Sequence, residues 1–281
     1  MSINTFVPEI WSAMLLSSLK KNLVYAQSPV VNRNYEGEIA EAGDTVTINS
    51  VSRPTIGTYV PNVTTIVPEK LTTAQRKLVI TEAKYFAFEV DDVDMRQARG
   101  NVIPEALTES AYGLRDIADQ HVAALYTGVV AANALGTVSV TTPALAYTNL
   151  VKLKVKLDEA DVPTEGRWVV VPAWYHGLLL DEAKFVQSPA EEVTRASLLN
   201  GMVGRAAGFD VLMSNNVPNP TGDDHVVIAG YPGAITYAEQ INKVEAYRPE
   251  DSFADAMKGL HLYGSKLVRP QGIATLTASI T

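Results

Sequence analysis

GDTVTINSVSRPTIGTYVPNVTTIVPEKLTTAQRKLVITEAKYFAFEV, residues 43–90, writes two strand-like arms one after the other, ahead of any sustained helical pattern. Thr45, Val46, Thr47, Ile48 and Asn49 alternate polar with apolar, as a half-buried strand does, and residues 77–90 are dense in β-branched and aromatic side chains. Pro54, Gly57, Pro61 and Pro68 punctuate the stretch between them. Two arms of about 20 residues, extended at ~3.3 Å per residue, reach on the order of 60 Å. A compact chain of this length has a radius of gyration near ~19 Å, so the pattern predicts a hairpin that projects. A projecting, moderately apolar hairpin invites pairing with other chains, and self-assembly is the first functional expectation. The alternative is a hairpin folded back on a monomer. Arg53, Ile56, Tyr59, Val63, Ile66, Val67 and Lys70 are the candidate subunit contacts in this stretch, joined by Trp11 beside an apolar stripe near the N-terminus.

At 281 residues the chain can bury about three quarters of its unfolded surface, so stability calls for no metal or disulfide. The absence of cysteine excludes a disulfide framework, a thiolate zinc site and a thiol nucleophile. With 23 basic against 31 acidic residues the net charge is -8, which argues against a protein that grips phosphate backbones. Lys20 and Lys21 follow an amphipathic stretch rather than precede an apolar one, so no secretory signal is expected. Residues 120–151 carry no Asp, Glu, Lys or Arg, but His121, Thr127, Asn133, Gly136 and Pro143 interrupt them. A buried helix end followed by a polar loop is expected there, not a membrane span.

Outside the hairpin, Thr5 is placed to cap a short helix with Pro8 in its first turn and Ile10, Met14 and Leu15 on one face. Residues 28–41 show no period and read as an extended arm crossing a surface. Asp91, Asp92 and Asp94 supply helix-start chemistry, and Gly100 and Asn101 break the chain again. Leu107, Ala111, Leu114, Ala118, Val122 and Leu125 then recur at steps of three and four, predicting a long spine helix over 104–132. Residues 147–234 alternate helix (148–159, 173–184) with strand (167–171, 209–213, 225–229), as a compact α/β unit does. The tail returns to strands at 235–247, 260–269 and 273–280, so the whole reads as α+β with two discontinuous lobes.

Candidate catalytic chemistry is thin. Asp91, Asp92 and Asp94 offer oxygen ligands for Mg²⁺ or Ca²⁺, but neither a glycine-containing loop nor a downstream Glu is in place, which favours helix-cap and surface roles. His121, His176, His225 and His261 contain no pair at metal-ligand spacing, and Asp223, Asp224 and His225 follow turn residues. Gly201, Gly204 and Gly208 do not match a dinucleotide fingerprint and read as loop turns. Trp11, Trp168 and Trp174 read as packing anchors, since no basic cluster accompanies them. No catalytic, cofactor or metal residue is expected.

Three stretches resemble the major capsid proteins of tailed bacteriophages with the Hong Kong 97 type fold, in particular actinobacterial phage coat proteins. They are FVPEIWS at 6–12, GFDV at 208–211 closing in SNNVP at 214–218, and GLHLYG at 259–264 ending in VRP at 268–270. The resemblance implies an N-terminal arm (1–42), an extended hairpin loop over an adjacent subunit (43–90), a peripheral domain with the spine helix (91–146), an axial domain (147–234) and return strands of the peripheral domain (235–281). It also implies a subunit of hexamers and pentamers that close an icosahedral head around double-stranded DNA, assembled in the host cytoplasm without binding sequence or membrane. Some relatives crosslink lysine to asparagine; Lys70 and Lys77 lie in or near the loop, but no partner Asn is identifiable, so non-covalent locking is expected. Because the chain begins directly in the arm, a separate scaffolding protein is expected, with a portal and a cement protein as further partners. Two alternatives stand beside this reading: the shell of a cellular nanocompartment with the same fold, and a metal-dependent enzyme using Asp91, Asp92 and Asp94.

Overall fold

The computed structural model describes residues 24–34, 45–51, 54–62, 65, 68–70, 73–91, 102–182, 202–251 and 253–280. The alternating start of the hairpin stretch is β1 (Thr45–Val51), antiparallel to β2 (Thr73–Val79) from Thr45↔Val79 to Val51↔Thr73, and the two form a sheet of their own. The run 77–90, expected as one arm, is two strands. It breaks at Ile80 and Thr81, and β3 (Glu82–Asp91) pairs instead along β10 (Ala254–Leu267), which pairs on its other side with β9 (Ile235–Tyr247). Asp91, expected to open a helix, is the last residue of β3, opposite Ala254.

The spine helix is α1 (Val102–Ala123), and its predicted stripe is buried: Leu107, Ala111, Leu114, Ala118 and Val122. Its first half lies on the three-stranded sheet, where Leu107, Ala111 and Leu114 pack with Val244, Met257, Phe86 and Phe88. It stops short of the expected 132 because residues 124–128 tighten into a 3₁₀ turn and Val129 is extended. Gly128 passes close to Leu267 there, and a Cβ on it would sit 3.0 Å from that side chain.

A six-stranded mixed sheet has the order β4 (Ala134–Ser139), β11 (Ile273–Ser279), β8 (His225–Gly230), β5 (Trp168–Val171), β7 (Phe209–Met213), β6 (Met202–Ala206). β5 is central and buried on both faces, which is why its four residues are uninterrupted Trp and Val. Val169 and Val171 meet Leu150, Leu153 and Leu157 of α2 (Pro143–Glu159) and Tyr175 and Leu179 of α3 (Ala173–Leu180). Trp168 and Val170 belong to the core on the other side, with Tyr25, Ala26, Val30 and Val31 and with Ala118 and Val122 from the end of α1. Thus α1 spans from one sheet to the core of the other.

Several expectations change here. The tail 235–281 was expected to return as one unit beside the spine helix; β9 and β10 do, but β11 enters the six-stranded sheet between β4 and β8. Ile273, Ala274, Leu276 and Ala278 are all buried, as suits a strand flanked by β4 and β8 and covered on both faces. Residues 134–139, expected as polar loop within 91–146, form β4 at the edge of the same sheet. Gly136, at φ +74°, sits where the register with β11 shifts, which weakens the strand signal. Gly204 and Gly208 are not loop turns alone: Gly204 lies in β6, and Ala207 and Gly208, at φ +50° and +85°, make the two-residue link to β7. Gly201 lies outside the described residues. α2 starts at Pro143 rather than 148, with Leu145 N donating to the Thr142 Oγ1 cap at 3.4 Å.

Candidate functional site

The hairpin is anchored at one end and bare at the other. At its base Leu78 and Ile80 are buried against Ala238 and Leu262 on the sheet face opposite α1, with Ile48 and Leu260 packed alongside. Arg76 Nη1 donates to the Leu267 carbonyl at 3.1 Å. Beyond the last pair, Val51↔Thr73, residues 54–62 run exposed, Ile56 at 87% and Tyr59 at 62%. Thr55 N donates to Glu69 Oε2 at 3.0 Å, tying the two sides together and holding the Glu69 carboxyl below its ordinary range. Asn62 turns the chain at φ +62°, a region Asn tolerates better than most residues. Lys70 is exposed on the returning side. Of the other candidate contacts, Trp11, Arg53, Val63, Ile66 and Val67 lie outside the described residues.

A second anchor, absent from the sequence expectations, fixes residues 24–34. Val24, Tyr25 and Ala26 donate their backbone N–H groups to Asp119 Oδ1 at 3.0, 2.6 and 3.4 Å, and Asn216 Nδ2 donates to Oδ2 at 3.1 Å. Burial pushes the Asp119 carboxyl up, against the pull of those four donors. Further along, Asn32 N donates to the Ile235 carbonyl and Tyr237 N to the Asn32 carbonyl, at 2.8 and 3.0 Å, so the segment adds a bridge to β9. Arg33 pairs with Glu239, which also accepts from Tyr237 Oη at 2.9 Å and lies 3.5 Å from His261 Nε2. Of the arm expected over 28–41, residues 35–41 lie outside the described residues; residues 28–31 turn rather than extend, and Asn32 lies against β9 of the same chain.

Burial alone would raise the Glu239 carboxyl, but His261, Arg33 and Tyr237 together hold it down from 4.5 to about 2. A carboxylate depressed on folding stabilises fully above its unfolded range and loses that contribution as pH falls through its folded value, here from near 4.5 towards about 2. The shift corresponds to about 3 kcal/mol at neutral pH. Glu239→Gln is expected to lower the melting temperature at pH 7 and to flatten its decline below about pH 5, read by thermal melts across a pH series.

Among the described residues nothing catalytic gathers elsewhere. Asp91 is exposed at the end of β3, Asp92 and Asp94 lie outside the described residues, and among the described residues no three His, Cys, Asp or Glu stand close enough to hold a metal. Of the four histidines, His121 and His261 pack on the same ring, Tyr263, and His176 and His225 lie elsewhere. His225 packs edge-on to Trp174, His121 edge-on to Tyr263, His176 is buried on α3, and His261 belongs to the Glu239 cluster. Trp168 and Trp174 both pack as anchors, one in each core layer. Among the described residues no helix is long and apolar enough to cross a membrane.

The family described as phage capsid protein matches residues 74–276, leaving the bare hairpin tip outside the matched region. A solved structure from Mycobacterium phage Che8 is 32% identical, covers 98% of each chain and superposes with a TM-score of 0.74. A capsid structure of the cyanophage P-SCSP1u matches at 15% identity, TM-score 0.68, over 95% of this chain and 88% of the other. A virus-like particle from Pyrococcus furiosus matches at 13% identity, TM-score 0.57, over 96% and 98%; these last two likenesses speak to the fold alone. Among curated proteins none matches. The α+β fold, with its long helix, is that of Hong Kong 97 type capsids. Anchors that fix residues 24–34 and a hairpin base are what a shell subunit needs, and the chain belongs to the phage capsid protein family: it is a major capsid protein of the tailed-phage head, a structural subunit of the virion rather than an enzyme by its family.

Proposed function

We propose that the chain builds hexamers and pentamers that close into an icosahedral head around double-stranded DNA, with the hairpin of β1 and β2 lying over an adjacent subunit. The observation that carries this is the contrast between the buried hairpin base and the bare Ile56 and Tyr59 at its tip. Apolar surface held away from its own core gains free energy only on a neighbour, and many such contacts in a closed shell become strong. Val63, Ile66, Val67, Arg53 and Lys70 extend the same contact on the sequence reading, and Trp11 belongs to the arm. In the capsid vocabulary, α1 with the three-stranded sheet is the peripheral lobe and the six-stranded sheet with α2 and α3 the axial lobe. A net charge of -8 suits a wall that DNA must pack against and leave. A portal and a separate scaffolding protein are the partners expected of such a head, with a cement protein as an optional addition.

The nanocompartment reading shares the fold, as the Pyrococcus particle illustrates, so the fold alone does not choose. The phage capsid family match and the 32% identity to the Che8 structure favour the phage head. Packaging-motor and portal genes beside this one are the expected neighbours; cargo-enzyme genes would favour the compartment. Ile56→Asp combined with Tyr59→Asp is expected to leave the melting temperature within a few degrees of wild type while abolishing particles in sedimentation. Particles of normal yield and size would reject the hairpin contact.

A further inference from the structure

On the outer face of the three-stranded sheet, the hairpin base passes over one glycine. The pairing of β3 with β10 ends at Glu82↔Tyr263, and the next residue of β10 is the buried Gly264, which stays paired with Ala238 of β9. Where the chain before Glu82 would have continued along the edge of β10, it climbs across the sheet instead. A Cβ on Gly264 would lie 2.6 Å from the Val79 carbonyl oxygen, 3.0 Å from Ile80 Cδ1 and 3.1 Å from Ile80 Cα. Two of those three atoms are backbone, so no rotamer change relieves the contact. The glycine is required here by closeness, since the chain crosses over it at the link between β2 and β3.

We propose that Gly264 is the pivot that sets the direction in which the hairpin leaves the body, and with it the place where the hairpin tip meets a neighbouring subunit. The second half of that statement rests on the hairpin contact proposed above. Among the described residues, Arg76, through the Leu267 carbonyl, and the small Leu78, Ile80, Ala238 and Leu262 cluster, with Ile48 and Leu260 beside it, tie the base down at this crossing. To reach ordinary contact at 3.4 Å, a methyl group on Gly264 must push the Val79 carbonyl, now 2.6 Å away, outward by most of an ångström and Ile80, at 3.0–3.1 Å, by less. With Arg76 as the fulcrum, three residues or roughly 10 Å away, such a tilt moves the far end of the seven-residue strand, roughly 23 Å long, by about 2 Å.

The chain has no cysteine, so a pair of introduced thiols is uniquely labelled. Spin labels on Thr58→Cys at the tip and Lys152→Cys on α2 report the distance between hairpin and body in the unassembled subunit. Gly264→Ala is expected to shift that distance by about 2 Å with a melting temperature near wild type, while Gly113→Ala, a helix position with open space around it, leaves it unchanged. Arg76→Ala, which frees one tie without adding an atom, is expected to broaden the distance distribution around its original mean. In assembly, Gly264→Ala is expected to replace uniform particles by a spread of diameters or open sheets under the electron microscope. An unshifted distance overturns the pivot whatever particles form, and so does loss of the fold, because the body rather than the hairpin would then have absorbed the methyl group. A shifted distance with normal particles keeps the pivot and overturns the hairpin contact on which its consequence depends.

Discussion

Replacing residues 52–72 by the dipeptide Asn-Gly is expected to yield a folded subunit that forms no stable shell. The pairing Val51↔Thr73 closes β1 on β2, so a two-residue turn fits the register without moving either strand. Leu78 and Ile80, which anchor the base, are untouched, as are the cores on both faces of β5. What disappears is the exposed segment around Ile56 and Tyr59. Transferring roughly 300 Å² of such surface to a neighbour contributes on the order of 7 kcal/mol per contact before ordering costs, at ~25 cal/mol/Å². A loss of that size at every contact leaves nothing to hold a closed shell together. Circular dichroism and melting should match wild type, while sedimentation shows small oligomers only. Collapse of the fold would place the segment in the core, and robust shells would make it decoration.

The largest loss of subunit stability is expected from Asp119→Ala. One carboxylate satisfies three backbone N–H groups at residues 24–26 and the Asn216 amide, and it is buried together with Tyr25 and Ala26. Removing it orphans the three backbone donors, of which those of Tyr25 and Ala26 are buried, while Asn216 Nδ2 keeps its bond to Asp116 Oδ1 at 2.8 Å; each buried group left unpaired costs about 1–3 kcal/mol. Allowing for relaxation, a loss of about 3–5 kcal/mol and a fall in melting temperature of roughly 10 °C are expected for a chain of this size. Hydrogen exchange should show residues 24–34 losing protection well before the six-stranded sheet does. Equal protection in the variant would mean that the segment is held by its apolar packing, through Val30 and Val31, and not by the carboxylate.

Much of the fold was legible in the sequence because burial leaves periodic marks. The stripe from Leu107 to Val122 reports the face that α1 buries, and β7 and β9 fall on the residues their patterns gave, since both begin and end in strong punctuation. The bare tip at Ile56 and Tyr59 was legible for the opposite reason, apolar residues among prolines with nothing local to cover them. The break between β2 and β3 was not, because Ile80 and Thr81 are good strand formers and Gly264, the residue the chain crosses there, sits far away on β10. β4 was lost to its glycine, and β11 joined the six-stranded sheet through a pairing that no local pattern records. The anchors of residues 24–34 left one readable trace. Glu239 and His261 are buried polar residues within β9 and β10, and a buried carboxylate requires partners. The partners themselves, Arg33 and Tyr237, are assigned only by the folded chain.

Electron cryomicroscopy of particles formed by this chain, expressed with the other head proteins of its phage, tests shell assembly through the hairpin most directly. Closed icosahedral shells are expected, with residues 54–62 seated on the adjacent subunit and Ile56 and Tyr59 buried there. Closed shells in which that segment stays in solvent, or a chain that remains monomeric with its head partners present, would contradict it.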